Sequence, residues 1–274
     1  MNGEIAVEDV QGRTDNRQIA LDRVGVSGVR HPIVVLDKKR EKQRTVAMLT
    51  MSVDLPHNFK GTHMSRFIEV LNEHHGEVTM RTLPTILQTL RERLDAETAH
   101  IDIEFPYFIP RTAPASGATA LMDYECKFIG ESNVEIDDFI LQVRVPVTSL
   151  CPCSKAISDY GAHNQRGHVT IQVRSQSVPS TGRPSLIWIE ELITIAEASA
   201  SAPVYPLLKR ADERFVTMQA YDNPVFVEDM VRNVAAKLQD EPRVAWFHVH
   251  AVNHESIHNH GAFASVEWTR PVTQ

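Results

Sequence analysis

The sequence has few cysteines for its length. Its 274 residues include only Cys126, Cys151 and Cys153. Three thiols cannot all pair within one chain, and Cys151 and Cys153 are too close in sequence to bridge each other easily. This argues against a disulfide framework and favours reduced thiols, either free or bound to a metal.

Long apolar runs and a surplus of basic residues are also missing. No run approaches the ~18 residues that a membrane helix needs, and the polar start lacks the pattern of a signal peptide. We therefore expect a cytoplasmic protein without a membrane partner. A formal net charge of −7 gives no basic surface for phosphate neutralisation, so nucleic acid is not an expected partner either.

The sequence contains 42% hydrophobic residues, enough for a packed core. These residues recur with the spacing of strands and helices, and the order of predicted strands and helices occurs twice along the chain. After a polar tail over residues 1–23, the pattern predicts two modules, 24–133 and 134–274. Each reads ββααββ, which indicates an α+β protein built on a duplicated unit. Predicted strands are 31–36, 45–54, 100–108, 118–130, 134–147, 167–175, 244–252 and 260–268; predicted helices are 62–71, with Thr62 as a cap, 82–96, 186–201 and 225–238.

The segment from Thr148 to His168 concentrates metal-ligand side chains in a loop between two predicted strands. In an extended Cys151-Pro152-Cys153, side chains two apart point to the same face, so both sulfurs could reach one centre. Thiolate with the imidazole of His163 is a usual ligand set for zinc. The spacing differs from the C-x-x-C of structural zinc modules, and a plain loop filled by small cysteines remains the alternative.

A second cluster places five histidines between Phe247 and His260. It contains His254-Glu-Ser-Ile-His258, formally H-E-x-x-H, but strand alternation before it and a turn after it disfavour the helix that a metalloprotease requires. His258 or His260 could instead complete a metal site built from other loops. For His248 and His250 the side chains of a solvated strand face are the preferred interpretation.

Three carboxylates and one basic segment complete the candidates. Glu197 lies in a stretch of small residues and would need a partner if buried. Glu213 is expected in a charged loop, and Glu228 at the start of the last helix; from the residues alone, both are most simply surface charges. Lys60 and Arg66 flank the start of a predicted helix. A phosphate-binding segment and a plain capped helix are equally good interpretations of it.

Five separated segments, in this order, resemble GTP cyclohydrolase I of type IB. They are PHNFKGTHMSRF (56–67), SLCPCS with GAHNQR (149–154 and 161–166), LLKRADE (207–213), FVEDMVR (226–232) and ESIH (255–258). The resemblance runs from about Val24 to Trp268. It implies a tunnelling fold (T-fold) of two tandem ββααββ modules with antiparallel sheets and helices on one face, assembled as a homotetramer with active sites between subunits.

The resemblance also implies a reaction and roles for residues. The reaction is hydrolysis of GTP to 7,8-dihydroneopterin triphosphate and formate, the first step of tetrahydrofolate biosynthesis. One divalent metal per site, zinc, manganese or similar, would be bound by Cys151, His163, Glu213 and His258. Cys151 would also be catalytic, with His260 or His168 transferring protons; Glu228 would bind guanine, and Lys60, Arg66 and Arg166 are candidates for the triphosphate.

Two other functions remain open at this point. Another tunnelling-fold enzyme, such as a deazaguanine nitrile reductase, would use a cysteine as nucleophile and depend on a nicotinamide. A non-catalytic protein that buffers metal through its Cys and His residues would release metal without converting any purine triphosphate.

Overall fold

The computed structural model describes residues 11–74, 78, 79, 81–178, 180, 182 and 184–271, and residues 1–10 of the expected tail lie outside this part. The described chain is an α+β protein. Its elements, in order, are β1 (Leu21–Asp37), β2 (Glu41–Leu55), α1 (Met64–Glu73), α2 (Leu83–Leu94), β3 (Ala99–Thr112), β4 (Thr119–Ser132), β5 (Asp137–Leu150), α3 (Pro152–Ile157), β6 (Asn164–Ser175), α4 (Ile189–Glu197), β7 (Ala202–Pro203), α5 (Arg210–Asp222), α6 (Val227–Asp240), β8 (Val244–Asn253) and β9 (Ala262–Thr269).

The strands form one sheet whose neighbours follow the order β1-β2-β3-β4-β5-β6-β8-β9, with the short β7 paired to β5. The pairs β5–β6, β6–β8 and β8–β9 are antiparallel. None of the described helices is long and apolar enough to cross a membrane.

The chain divides into two compact units. The first comprises the described residues within Met1–Leu36, Arg44–Ile103 and Phe128–Phe139. Its core forms because α1 and α2 each bury one apolar face while β2 and β3 bury alternate residues. Buried members of this core include Leu49, Met51, Phe67, Val70, Ile86, Leu87, Leu90, Ile101 and Ile103.

The second unit comprises the described residues within Asp37–Gln43, Glu104–Lys127 and Ile140–Gln274. Here α6 packs on β8 and β9, and α4 contacts both α6 and β6. The helix predicted over 225–238 is present as α6, and it buries one apolar face against these strands. The central residues of this core include Val143, Val145, Val169, Ile171, Leu192, Met230, Val231, Val234, Leu238, Phe247 and Val249.

Most predicted elements are present, and four details of the prediction were wrong. The N-cap of α1 is His63 instead of Thr62, and α4 is shorter than the predicted 186–201. Cys151-Pro152-Cys153 is not extended, because Pro152 begins the short helix α3, a position that proline favours. Glu213 lies in the helix α5 instead of a loop.

Candidate active site

A cavity of about 350 Å³ opens in the second unit where β5 and β8 end and α6 begins. Sequence analysis assigned functional roles to five residues that line it, and Cys153 lines it as well. The five are Cys151, His163, Glu228, His258 and His260. The structure therefore gathers residues from three segments that are far apart in sequence, 149–165, 225–228 and 253–262.

The turn after β5 links Cys151 to His163. Cys151 is the N-cap of α3, and its sulfur accepts a hydrogen bond from Ser154 N at 3.4 Å. The backbone N–H of Cys151 donates to His163 O at 3.1 Å, and His163 N donates to Ser154 Oγ at 3.2 Å. These bonds hold the half-buried sulfur and the start of β6 together, whereas Cys153 is exposed on α3.

Gln165 and Glu255, which sequence analysis did not single out, support the ring of His163. Gln165 Oε1 lies 2.9 Å from His163 Nδ1, and Gln165 Nε2 donates to Glu255 Oε1 at 3.4 Å. Gln165 is only 7% exposed. No motif signals its role, and β6 begins at Asn164, whereas the predicted strand begins at Gly167. Gln165 therefore lay outside the predicted strand, and its burial had no signal in the predicted pattern.

A buried polar chain joins the ends of β5 and β8 to the start of α6. Asn253 Nδ2 donates to Ser149 Oγ at 3.0 Å, and Ser149 Oγ donates to Val225 O at 2.9 Å. All three residues line the cavity. The chain fixes the segment before α6 and so places Glu228, in the first turn of that helix, at the cavity wall.

His258 and His260 reach the cavity from the loop between β8 and β9. Their rings stack with centroids 5.2 Å apart, and both side chains are exposed. Residues 254–261 contain no helix, as sequence analysis expected, so the helical geometry that H-E-x-x-H zinc sites need is absent from this described loop.

Arg166 and His168 lie on the opposite face of β6 from Gln165, because side chains alternate along a strand. They line a second cavity of about 300 Å³ together with Glu125 and Arg144. His168 Nδ1 lies 3.2 Å from His254 Nε2. Burial, with smaller contributions from nearby positive charges, lowers the pKa of His168. The structure therefore does not bring these two residues into the Cys151 cavity.

Three other candidates also lie elsewhere. Glu213 is exposed on α5 and is not part of the cavity lining. Lys60 and Arg66 belong to the first unit, where both are exposed. Arg66 lies in the first turn of α1 and donates to Arg93 O at 3.0 Å.

The donor atoms of the cavity suit a transition metal in chemical type. A cysteine sulfur and imidazole nitrogens are usual ligands of zinc, and Cys151, His163 and His258 supply them around one space. In the described part of the chain, however, no three His, Cys, Asp or Glu side chains already stand in a metal-binding arrangement. The residues fit a metal by chemistry, and binding it would require these side chains to approach one another more closely than they do here.

The sequence matches the family model described as "Type I GTP cyclohydrolase folE2" over residues 7–264. It is 54% identical over 259 residues to the GTP cyclohydrolase FolE2 of Syntrophus aciditrophicus, covering 94% of this chain and 98% of that protein. It is 53% identical over 262 residues to the FolE2 of Syntrophotalea carbinolica, covering 96% and 95% of the two chains.

Solved structures with a similar fold are uricases. The uricase of Arthrobacter globiformis superposes with a TM-score of 0.51 at 9% identity, over 92% of this chain and 95% of that one. A urate oxidase mutant from Bacillus sp. TB-90 gives a TM-score of 0.53 at 10% identity, over 91% and 100%. These likenesses concern the fold alone. The sequence matches, which cover nearly the whole chain, show that it belongs to the type I GTP cyclohydrolase FolE2 family.

Proposed function

We propose that this chain is a GTP cyclohydrolase I, which hydrolyses GTP to 7,8-dihydroneopterin triphosphate and formate, the first step of tetrahydrofolate biosynthesis. The observation that carries the proposal is the single cavity that joins Cys151, His163, His258 and His260 to Glu228. The cavity volume of about 350 Å³ lies within the usual range for a small-molecule site.

Glu228 is the group that would bind the guanine base. A carboxylate can accept hydrogen bonds from both the ring N–H and the exocyclic amine of guanine. Its place in the first turn of α6, next to the fixed segment around Val225, gives this carboxylate a defined position at the wall. The base edge would then lie against α6, with the reacting carbon towards the Cys151 side of the cavity.

Cys151, His163 and His258 would hold one divalent metal, zinc, manganese or similar, with Glu213 as a fourth ligand expected from the resemblance. When bound, such a metal lowers the pKa of a coordinated water and supplies hydroxide for attack on the imidazole ring of guanine. Glu213 would have to reach the metal from an exposed position on α5, so it is the weakest member of this set.

His260 is the group that would move protons during ring opening and loss of formate. It lines the same cavity as Cys151 and Glu228, and its Nδ1 lies 3.2 Å from Gly261 O, which can accept a hydrogen bond from a protonated Nδ1. The other nitrogen would then be available to the substrate. His168, the second candidate, lies on the opposite face of β6.

Three further features belong to the same proposal. The chain would fold as two tandem ββααββ modules of the tunnelling fold and assemble as a cytoplasmic homotetramer with active sites between subunits. Exposed large apolar side chains of the second unit support assembly, among them Phe226 at the cavity, Tyr160, Ile257 and Phe263. Arg166, Lys60 and Arg66 would bind the triphosphate within that assembly.

The test is incubation of metal-loaded protein with GTP, followed by fluorescence of the oxidised pterin and an assay for formate. Stoichiometric formation of both products is the expected result. Absence of product with zinc, manganese and magnesium would overturn the proposal. Consumption of a nicotinamide with a deazaguanine nitrile would point to a reductase instead.

A further inference from the structure

We infer that Gln165 is a positioning residue that fixes the neutral tautomer of His163, so that Nε2 presents its lone pair to the cavity. The inference rests on the proposed function only for its consequence, since the tautomer itself is a property of the chain alone.

The first step is the orientation of the Gln165 amide. At 3.4 Å, Glu255 Oε1 is the partner of the Gln165 nitrogen. An ionised carboxylate can only accept hydrogen bonds, so the NH₂ group of Gln165 must face Glu255. The amide oxygen is then the atom that faces His163.

The second step follows at the His163 ring. Gln165 Oε1 lies 2.9 Å from His163 Nδ1 and can only accept, so Nδ1 carries the proton. In a neutral imidazole this leaves the lone pair on Nε2. Ser256 Oγ, 3.4 Å from the same Nδ1, can accept as well and does not oppose this tautomer.

The third step is the rigidity of the support. Gln165 lies on β6, where it pairs with Ser149 of β5, and its side chain is buried. A buried amide must keep its hydrogen-bond partners, because a lost partner leaves a polar group desolvated. Gln165 therefore cannot replace its partners Glu255 and His163 by water without cost. The hydrogen bond from His163 Nδ1 to Gln165 then fixes the plane of the His163 ring.

The consequence concerns metal binding. An imidazole binds a metal through a nitrogen that carries no proton, and a hydrogen bond to the other nitrogen holds the ring in the productive orientation. With Nδ1 held by Gln165, His163 is set to bind through Nε2 on the cavity side. Loss of such a supporting partner typically weakens metal affinity about 10–100-fold.

The experiment compares the wild type with Gln165→Leu and with Glu255→Ala, which removes the group that orients the amide without altering a buried position. Neutron diffraction of metal-free crystals at neutral pH locates the His163 proton. Zinc affinity is measured by competition with a chelator. Gln172→Leu is the matched control, the same substitution on the same strand at a glutamine bonded to Gln142.

We expect Nδ1–H in the wild type and in Gln172→Leu, and loss of full Nδ1 protonation in Gln165→Leu and Glu255→Ala. The zinc dissociation constant should rise about 10–100-fold in Gln165→Leu and stay unchanged in the control. A proton on Nε2 in the wild type, or an unchanged tautomer in both variants, would overturn the inference. Failure of the wild type to convert GTP would instead refute the proposed function and leave the tautomer result intact.

Discussion

At the scale of single residues, Cys151 combines two roles that substitution can separate. Its sulfur caps α3 and also faces the cavity. Cys151→Ala removes both roles, whereas Cys151→Ser keeps an acceptor for Ser154 N and loses the thiolate. Both variants should lose activity by at least about 100-fold and bind zinc more weakly, because only a thiolate supplies a soft anionic ligand.

The comparison residue is Cys153, which is exposed on the first turn of α3. Cys153→Ala should lower kcat/KM far less than Cys151→Ala, measured by the fluorescent pterin assay and by zinc titration. Equal and mild losses in the two alanine variants would contradict the ligand assignment.

His260 lies in the loop between β8 and β9, and His168 lies on β6. Substitution can therefore show which of the two histidines transfers protons. His260→Ala should lower kcat by about 10²–10⁴-fold, the usual loss when a general acid or base is removed. His168→Ala should have a much smaller effect on kcat, since this side chain lines the second cavity. Single-turnover rates and pH–rate profiles of both variants provide the measurement, and a larger loss in His168→Ala would reverse the assignment.

The sequence alone predicted several residues that line the cavity, but it did not predict the buried polar residues that hold them in place. Motifs identified Cys151, His163 and Glu228, and the structure brings these three to one cavity. Gln165 and Asn253 escaped notice because their importance comes from burial and from partners that are distant in sequence. The predicted strand began at Gly167, so sequence analysis gave no orientation for Gln165 and Arg166, which lie on opposite faces of β6.

At the scale of elements, an ion pair connects β3 to α4 inside the second unit. Arg111 Nη2 donates to Glu197 Oε2 at 2.7 Å, and Tyr124 Oη donates to Glu197 Oε1 at 3.1 Å. The side chain of Glu197 is only 9% exposed, and burial raises its pKa. The partner that sequence analysis required for a buried Glu197 is thus Arg111.

Arg111→Met should lower the free energy of unfolding by about 3 kcal/mol, because it leaves a buried carboxylate without its counter-charge. The matched control is Arg144→Met, which breaks a pair with Glu125, a side chain that is 72% exposed. That loss should stay below about 1 kcal/mol. Urea unfolding measures the free energy of unfolding of both variants. Equal decreases would show that the buried Arg111–Glu197 pair stabilises the fold no more than the exposed Arg144–Glu125 pair.

Asp212 ties α5 to the loop between β3 and β4. Its carboxylate accepts bonds from Ala115 N at 2.7 Å, Ser116 N at 2.8 Å, Ser116 Oγ at 2.6 Å and Lys209 N at 2.9 Å. Although its burial opposes the charge, these bonds hold the pKa of Asp212 well below its usual value.

A lowered folded-state pKa means that the stabilisation by Asp212 is present above the unfolded pKa of about 3.9 and is lost as pH falls towards the folded pKa. Asp212→Asn should therefore lower the urea midpoint at pH 7, and the gap to the wild type should narrow at pH 3. A gap that is constant with pH would contradict the role of the charge.

The two helices missed by sequence analysis, α3 and α5, bury almost no apolar side chains. In α5 only Asp212 and Ala220 are buried, so no apolar stripe marks it as a helix. In α3 no residue is buried and the helix has six residues, below the length that periodicity can detect. By contrast, α6 buries a full apolar face and was predicted within two residues at each end.

At the scale of the whole molecule, β9 follows β8 at the end of the strand order and exposes 70% of Phe263. An edge strand offers unpaired backbone groups to a second chain, and a large exposed apolar side chain adds surface that such a contact would bury. Phe263→Asp should therefore yield species smaller than four copies of the 30.8 kDa chain, measured by light scattering.

The control for this prediction is Ile136→Asp, which places the same charge at another apolar side chain that is 60% exposed, between β4 and β5. It should leave the assembly intact. A tetramer in both variants, or a monomeric wild type, would contradict the role of β9 in assembly.

The sulfur cap of α3 makes this helix a natural reporter of the cavity. The helix has six residues and no buried side chain, and Ser154 accepts a hydrogen bond from His163 N and donates one to the Cys151 sulfur, so α3 has little order of its own. Its amide hydrogens should exchange quickly with deuterium in the empty protein. Slower exchange at Ser154 and Lys155 would then register occupancy of the site without any need for turnover.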